Sequence, residues 1–141
     1  DKGFAVLRRT WKKGDVVELD LPMPVRRVLS HDKVAANAGR VALERGPVVY
    51  SAEAVDNGGR VFNLVLPDDA ALEPRERPDL LGGVTVLAGR AIALSPSDDG
   101  RSVLTREQDF VAVPYHVWAH RGEGEMAVWL PRRVTLDFVV P

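Results

Sequence analysis

The 141-residue chain contains no cysteine. Disulfide bonds, thiolate nucleophiles and zinc–thiolate sites are therefore excluded within it. The chain also lacks an excess of charge, because 19 basic and 20 acidic residues give a formal net charge of −1. This balance gives no electrostatic basis for binding DNA or RNA. No apolar run approaches the roughly 20 residues of a membrane-spanning helix, so we expect neither nucleic acid nor membrane as a partner and favour a cytoplasmic location.

Motifs of common catalytic and cofactor sites are missing as well. The sequence has no Gly-x-Ser-x-Gly nucleophile elbow, no Gly-rich phosphate loop and no dinucleotide-binding fingerprint. Hydrophobic residues make up 45% and charged residues 28%, which is an ordinary globular composition. A chain of this length can bury one sizeable core without the help of a metal. We therefore predict one domain, residues 1–141, with no cofactor of its own.

The apolar residues follow the pattern of short β-strands. From Val16 to Leu21, apolar and acidic side chains alternate with the period of two that a half-buried strand requires. Gly14-Asp15 predicts a hairpin turn between this strand and another at 4–11. Further strands are expected at 25–29, 40–45, 48–53, 61–66, 84–87, 90–94, 101–106, 109–120, 125–130 and 134–139. Residues 67–83 are expected to form a long connection, with room for a helical turn at 69–73. Ten to twelve short strands without an amphipathic helix predict an all-β fold, an antiparallel, jelly-roll-like β-sandwich with little or no helix.

Two sets of polar side chains could carry chemistry. His116 and His120 would lie about 13 Å apart on one face of a strand, too far for one metal ion. Glu123 and Glu125 could complete a cluster only if the chain folds back, so a metal-dependent enzyme that uses His116, His120 and Glu125 remains one alternative. A glycosidase needs two carboxylates roughly 5 to 9 Å apart, and Glu44 and Glu53 are candidates. Solvated ion pairing is the commoner role of such groups, and we assign no catalytic residue and no metal ligand.

Three aromatic residues, Tyr115, Trp118 and Trp129, cluster late in the chain. A carbohydrate-binding module would present two or three such rings on its surface, whereas a structural role would bury them in a core or an interface. Tyr115 and Trp118 are separated by an odd number of positions. On a regular strand they would face opposite ways, so at most one of them is expected on a single platform. The three residues are weak candidates for carbohydrate contact.

Three blocks of sequence carry a resemblance to a known family. They are RTWKKGDVVEL (9–19) with LPMPVRRV (21–28), NAGRVALERGPVVY (37–50), and PYHVWAHRG (114–122) with EMAVWL (125–130). In this order they resemble the bacterial β-L-arabinofuranosidases of glycoside hydrolase family 127. The chain departs from the family at Ser51, where many relatives would have cysteine, and at His116 and His120, where aromatic residues or asparagine would be usual.

The resemblance implies a modular enzyme of which this chain is the C-terminal part. Members of the family have an N-terminal (α/α)6 barrel, which holds the catalytic cysteine, the catalytic glutamates and a zinc ion, followed by β-sandwich modules. None of the barrel motifs matches this sequence, so the chain alone is expected to be inactive and to support a barrel in the same polypeptide. The alternative is a carbohydrate-binding module that recognises plant arabinose-containing glycans.

The resemblance also bears on where the domain begins. The chain starts at Asp1 without an initiator methionine, so we expect a processed chain or a C-terminal fragment of a longer enzyme. Residues 1–30 could then belong to a preceding, truncated sandwich. A strand edge left unpaired in this way would favour association, so a homodimer is a possible assembly.

Overall fold

Short β-strands dominate residues 3–134, the part of the chain that the computed structural model describes. In chain order they are β1 (Val25–Val28), β2 (Arg40–Arg45), β3 (Val48–Glu53), β4 (Leu64–Val65), β5 (Leu72–Arg77), β6 (Val84–Pro96), β7 (Val103–Pro114), β8 (Met126–Ala127) and β9 (Leu130–Pro131). The helical elements of this range are three single 3₁₀ turns, Ala35–Asn37, Ala54–Asp56 and Tyr115–Val117. The predicted all-β fold with little helix is confirmed. None of the described helical turns is long or apolar enough to cross a membrane.

The nine strands form one antiparallel sheet that curls around its own core. The main path runs β1-β2-β3-β7-β6-β4, with β5 beside β6, β8 beside β3 and β9 beside β2. The amide of Leu66, next to β4, donates to the carbonyl of Pro131 in β9 at 2.8 Å. Because β9 pairs with β2, backbone hydrogen bonds connect opposite ends of the path. The sandwich is therefore one sheet folded back on itself, with the apolar side chains between its facing parts.

Two long strands, β6 and β7, build the centre of the core. Phe110 of β7 is 1% exposed and lies directly opposite Gly89 of β6. The absence of a side chain at Gly89 lets the carbonyl of Ala71 and the side chain of Leu72 approach β6 closely. Leu87, Ala91 and Ala112, on the same face as Phe110, are also buried, at intervals of two along their strands. Their neighbours Val86, Ala88 and Val113 are buried too, so the centre of both strands is covered on its two faces.

Each of these strands joins two segments that the sequence pattern separated. The segments at 84–87 and 90–94 are one strand, which continues through Gly89. The segments at 101–106 and 109–120 also merge, but β7 ends at Pro114 instead of continuing to His120. Proline has no amide hydrogen to extend the ladder, and the chain turns into the 3₁₀ turn Tyr115–Val117.

The predicted connection at 67–83 contains a strand that the pattern did not reveal. Strand β5 pairs along its whole length with β6, from Leu72 opposite Gly89 to Arg77 opposite Val84. A helical turn at 69–73 is absent from this described segment. Strand β5 carries Pro74 and four charged residues, and its side chains after Leu72 are exposed. Such a composition hides a strand from hydrophobic periodicity, yet it suits an edge, where proline is tolerated and charge discourages further pairing.

Residues 3–24 contain the predicted turn but not the predicted strands. The amide of Asp15 donates to the carbonyl of Lys12 at 3.1 Å, and the Asp15 carboxylate accepts from the Lys12 amide at 2.8 Å. The expected hairpin strands on either side are absent from this range. Eight apolar side chains of the segment are more than half exposed: Phe4, Val6, Leu7, Trp11, Val16, Val17, Leu19 and Leu21. That residues 1–30 belong to a preceding sandwich stays a prediction.

The remaining differences concern strand length. The strand expected at 61–66 is reduced to β4, and the one at 125–130 is divided into β8 and β9. The strand expected at 134–139 lies, apart from Val134, outside the described residues. Short pieces arise here because β8 and β9 pair with different partners, β3 and β2.

Replacing Gly89 by alanine should destabilise the fold by about 1–3 kcal/mol, as expected for overpacking. A Cβ atom at this position would lie 2.3 Å from the carbonyl oxygen of Ala71, and backbone cannot move aside cheaply. Gly124→Ala is the control, because its Cβ would meet only the Ala54 side chain, at 3.4 Å. Urea unfolding measures both variants. Equal midpoints for Gly89→Ala and the unaltered chain would show that β5 does not pack on β6 as described.

Candidate functional site

The segment from Tyr115 to Glu125, here called the 115–125 loop, connects β7 to β8 and forms the candidate site. It starts with the 3₁₀ turn Tyr115–Val117. It then passes through two residues with positive φ, Ala119 at 62° and Gly122 at 107°. The carbonyl of Glu125 accepts a hydrogen bond of 2.9 Å from the amide of Ala54, at the end of β3. The loop therefore folds back over the edge of the sheet.

An ion cluster fastens the loop to the end of β3. The Arg121 guanidinium donates to Asp56 Oδ1 at 2.7 Å and to Glu53 Oε2 at 2.5 Å, and it also donates to Asp56 Oδ2. The other carboxylate oxygen of Glu53 accepts from the amide of Ala119 at 2.8 Å. Glu53 therefore contacts the loop at two points, and one of them is the alanine in the left-handed conformation.

The cluster is largely shielded from water. The side chains of Arg121, Glu53 and Asp56 are 17%, 8% and 16% exposed. The hydrogen bonds that Arg121 donates to Asp56 and then to Glu53 raise its pKa above the usual value, and they outweigh the opposing effect of burial. Two carboxylates on one guanidinium at this depth make a strong structural tie, because neither partner can be removed without leaving buried charge.

Glu125 ends the loop and holds a neighbouring turn. Its Oε2 accepts hydrogen bonds from the amides of Val61 at 2.7 Å and Phe62 at 2.9 Å. These two bonds, Phe62 first, lower the pKa of Glu125, since they stabilise the ionised form. The charge of Arg60 lowers this pKa less, since its Nε lies 3.9 Å from Glu125 Oε1. The role of Glu125 in this arrangement is to bind backbone amides.

Two of the aromatic candidates come together on the loop. The rings of Tyr115 and Trp118 stack with centroids 6.2 Å apart and planes inclined by 22°. They are 43% and 40% exposed. The prediction that these residues face opposite ways is wrong, because Tyr115 begins the 3₁₀ turn and Trp118 directly follows it. The Trp118 amide donates to the Tyr115 carbonyl at 3.2 Å, and in such a turn positions i and i+3 lie one above the other. Trp129, the third candidate, lies between β8 and β9 and is partly buried.

A cleft of about 450 Å³ opens beside this stack. It is bounded by the loop on one side and by the end of β3 on the other. Trp118, Arg121, Glu123 and Gly124 are among its lining residues, together with Glu53 and Val55. Tyr115 and Trp129, the other two aromatic candidates, do not line the cleft. The cleft thus combines one aromatic ring with polar backbone and carboxylate groups.

The sequence also suggested carboxylates and histidines that the structure does not bring together. Glu44 lies opposite Val49 and forms a 2.8 Å ion pair with Arg26. Glu53 is four residues further along β3, about 13 Å at the rise of a strand, which is too far for a glycosidase pair. Within residues 3–134, no three His, Asp or Glu side chains lie close enough to hold a metal ion. The alternative based on His116, His120 and Glu125 gains no support, since Glu125 binds the Val61 and Phe62 amides.

The comparisons with known proteins agree with this architecture. A family model described as the glycoside hydrolase family 127 C-terminal domain matches residues 25–131. The chain belongs to this family. The match begins at the first residue of β1 and ends at the last residue of β9, so it covers the whole described sheet.

Relatives of the chain are much longer than it is. A non-reducing end β-L-arabinofuranosidase of Bifidobacterium longum subsp. longum is 37% identical over 134 residues, which is 84% of this chain and 20% of the relative. A crystal structure of a family 127 β-L-arabinofuranosidase from Geobacillus stearothermophilus T6 matches with TM-score 0.74 and 46% identity, over 79% of this chain and 19% of that one. A second solved family 127 β-arabinofuranosidase matches with TM-score 0.84 and 44% identity, over 89% of this chain and 20% of that one. The chain therefore spans about one fifth of these relatives.

Sequence reasoning missed the central residues of the ion cluster. Arg121 was placed in a hairpin loop and Asp56 in a turn, with no partner for either. The available signal was Glu53, a carboxylate at the end of the largely apolar predicted strand 48–53. A carboxylate carried into a core needs a cation.

Removing the cation of the cluster should cost much stability. Arg121→Met leaves Glu53 and Asp56 buried without a counterion, and we expect a loss of about 2–4 kcal/mol. Arg90→Met is the matched control, because Arg90 binds Asp109 at 2.6 Å on the surface, where the two side chains are 54% and 90% exposed. Arg90→Met should lower the free energy of unfolding by less than about 1 kcal/mol. Chemical unfolding at neutral pH compares the two, and equal losses would refute the structural role of Arg121.

The Glu125 contacts should make stability depend on pH. Because the folded-state pKa of Glu125 lies below its ordinary value of 4.5, its contribution is complete above that value and is lost as pH falls through the folded pKa. Glu125→Gln should therefore be less stable than the unaltered chain at pH 7, and this difference should shrink below about pH 4. Thermal unfolding between pH 3 and 7 measures the difference. A gap that is constant with pH would contradict the amide contacts.

Proposed function

We propose that the chain is a non-catalytic accessory module of a glycoside hydrolase similar to the β-L-arabinofuranosidases. Its work is to pack against the preceding part of the same polypeptide and to support a catalytic (α/α)6 barrel there. The family match and the one-fifth share of the relatives' length support this role. Bond cleavage, and the zinc that the family resemblance implies, are assigned to the barrel.

The observation that carries the proposal is the apolar surface of residues 3–24. Val17, Leu19 and Leu21 alternate with acidic residues and are 54%, 76% and 70% exposed. Full burial of such a side chain is worth about 1.5–3 kcal/mol. Contiguous apolar surface of this kind marks an interaction site. In relatives about five times as long as this chain, the additional polypeptide can supply the cover.

The state of the carboxylates supports a structural role for the module. Glu44 is paired with Arg26, and Glu53 is held by Arg121 and by the amide of Ala119. A general acid or nucleophile has to reach a substrate in the right protonation state. Groups engaged in this way serve to hold the sheet and the loop.

The same apolar segment could instead join two copies of the chain. A homodimer was expected from an unpaired strand edge, and it stays a prediction. The proposal commits to cover by the same polypeptide, because alternating apolar and acidic residues suit one more half-buried strand in a sandwich. Sedimentation of the longer polypeptide distinguishes the two arrangements.

A charge placed in the segment should harm the longer polypeptide but not this chain. Val17→Asp should lower the thermal midpoint of a polypeptide that includes the preceding domains and leave the midpoint of the 141-residue chain unchanged. Leu104→Asp is the control, because Leu104 is 53% exposed on β7, close to the 54% of Val17. Leu104→Asp should change the free energy of unfolding of either protein by no more than about 0.5 kcal/mol.

Two results would contradict the proposal. One is a Val17→Asp variant of the longer polypeptide that is as stable as the unaltered protein. The other is release of arabinose from a nitrophenyl arabinofuranoside by the 141-residue chain alone. Both measurements are independent of whether the module binds a sugar.

A further inference from the structure

An exposed aromatic ring beside a polar cleft suits a ligand that is apolar on one face and polar at its edges. Trp118 lines the cleft and is 40% exposed, and its ring is backed by the stacked ring of Tyr115. Tryptophan offers a large flat apolar surface with few rotatable bonds. Sugar rings present such a face through their C–H groups and carry hydroxyls around the rim.

The platform is held rigidly, which lowers the cost of binding. Trp118 directly precedes Ala119, whose amide donates to the buried Glu53 carboxylate. Arg121, two residues later, is tied to Glu53 and Asp56. The backbone is therefore anchored on the C-terminal side of the ring by buried charge. A surface that is fixed before binding loses little conformational entropy on contact with a ligand.

The 115–125 loop also supplies hydrogen-bonding groups to the cleft. The carboxylate of Glu123 lines the cleft, and the residue is exposed. The backbone of Gly122 and Gly124 borders the same space. Carboxylate oxygens accept from hydroxyls and backbone amides donate to them, so both functions of a sugar hydroxyl can be met there.

The charge of the cleft decides among ligand classes. Arg121 is the basic side chain among the described lining residues, and it is engaged by Glu53 and Asp56. Glu123 and Glu125 add negative charge. An anionic ligand such as a uronate or a phosphate would meet repulsion without a free cation. A neutral ligand fits, and its volume can be that of a small molecule, since about 450 Å³ lies within the usual range for such sites.

We propose that this cleft is a contact site for neutral saccharides, with Trp118 as the stacking surface and Glu123 as a hydroxyl acceptor. The inference rests on the proposed function, because a module of a glycoside hydrolase meets glycans in solution. It goes beyond support of the barrel, since it gives the module a ligand of its own.

The test follows the three tryptophan indole N–H signals of the 141-residue chain by NMR during titration with an arabinose oligosaccharide. The Trp118 signal should shift with millimolar affinity, while those of Trp11 and Trp129 should not. Trp118→Ala should abolish the interaction, as read from the amide signals of residues 122–124. Trp11→Ala removes an exposed tryptophan that does not line the cleft, and it should bind normally. Glu123→Gln should weaken binding without disturbing the fold.

Several outcomes would overturn the proposal. A Trp118 signal that does not move at saturating sugar would do so, as would equal binding by Trp118→Ala. A shift caused by oligolysine but not by sugar would make the cleft a site for cationic peptides. Loss of binding in Trp118→Ala counts only if its amide spectrum remains that of the folded chain, and Trp118→Phe, which keeps a ring, should then retain part of the affinity. None of these results depends on the stability of the longer polypeptide.

Discussion

The buried contact of Arg121 with Glu53 and Asp56 is the constraint on which the candidate site depends. Beside it, the 115–125 loop is tied to the sheet by the Ala119 amide, which donates to Glu53, and by the Glu125 contacts. Burial makes the contact demanding, because each charged group loses water and must regain the energy from its partners. The sequence meets this demand with two carboxylates, which accept three hydrogen bonds from the two terminal nitrogens of the guanidinium. A loop rich in glycine thereby takes one conformation, and an exposed tryptophan gains a fixed position.

The curl of the sheet explains why the two carboxylates stand where the loop can reach them. Glu53 is the last residue of β3, and Met126 of β8 pairs with it directly. The chain must therefore return to the end of β3 after leaving β7. Asp56 follows in the 3₁₀ turn Ala54–Asp56, so both acids face the returning loop. The fold and the site share this junction, and damage to it would disturb both the closure of the sheet and the cleft.

Particular residues show what the sequence could predict. Apolar runs located β2, β6 and β7, where consecutive residues such as Val41, Ala42 and Leu43 are buried on both faces of the strand. The hydrophobic pattern failed for β5, where pairing is made by backbone while the side chains are charged. It also failed for Tyr115 and Trp118, since strand periodicity was extended past Pro114 into a 3₁₀ turn. The ion cluster joins residues up to 68 positions apart in the sequence. A pattern read from neighbouring residues cannot pair positions so far apart. The resemblance to family 127 was confirmed because it depends on the order of blocks and not on periodicity.

The two apolar surfaces of the chain are built differently, and this difference indicates different partners. Residues 16–21 expose apolar side chains outside the described strands, so another polypeptide can add both hydrogen bonds and apolar contact there. The Tyr115–Trp118 stack lies on backbone that is already anchored by buried charge, beside a cleft too small for a strand and its neighbours. A partner there gains from shape and from a few hydrogen bonds, which suits a small ligand. The proposed accessory role would use the first surface, and the proposed saccharide contact would use the second.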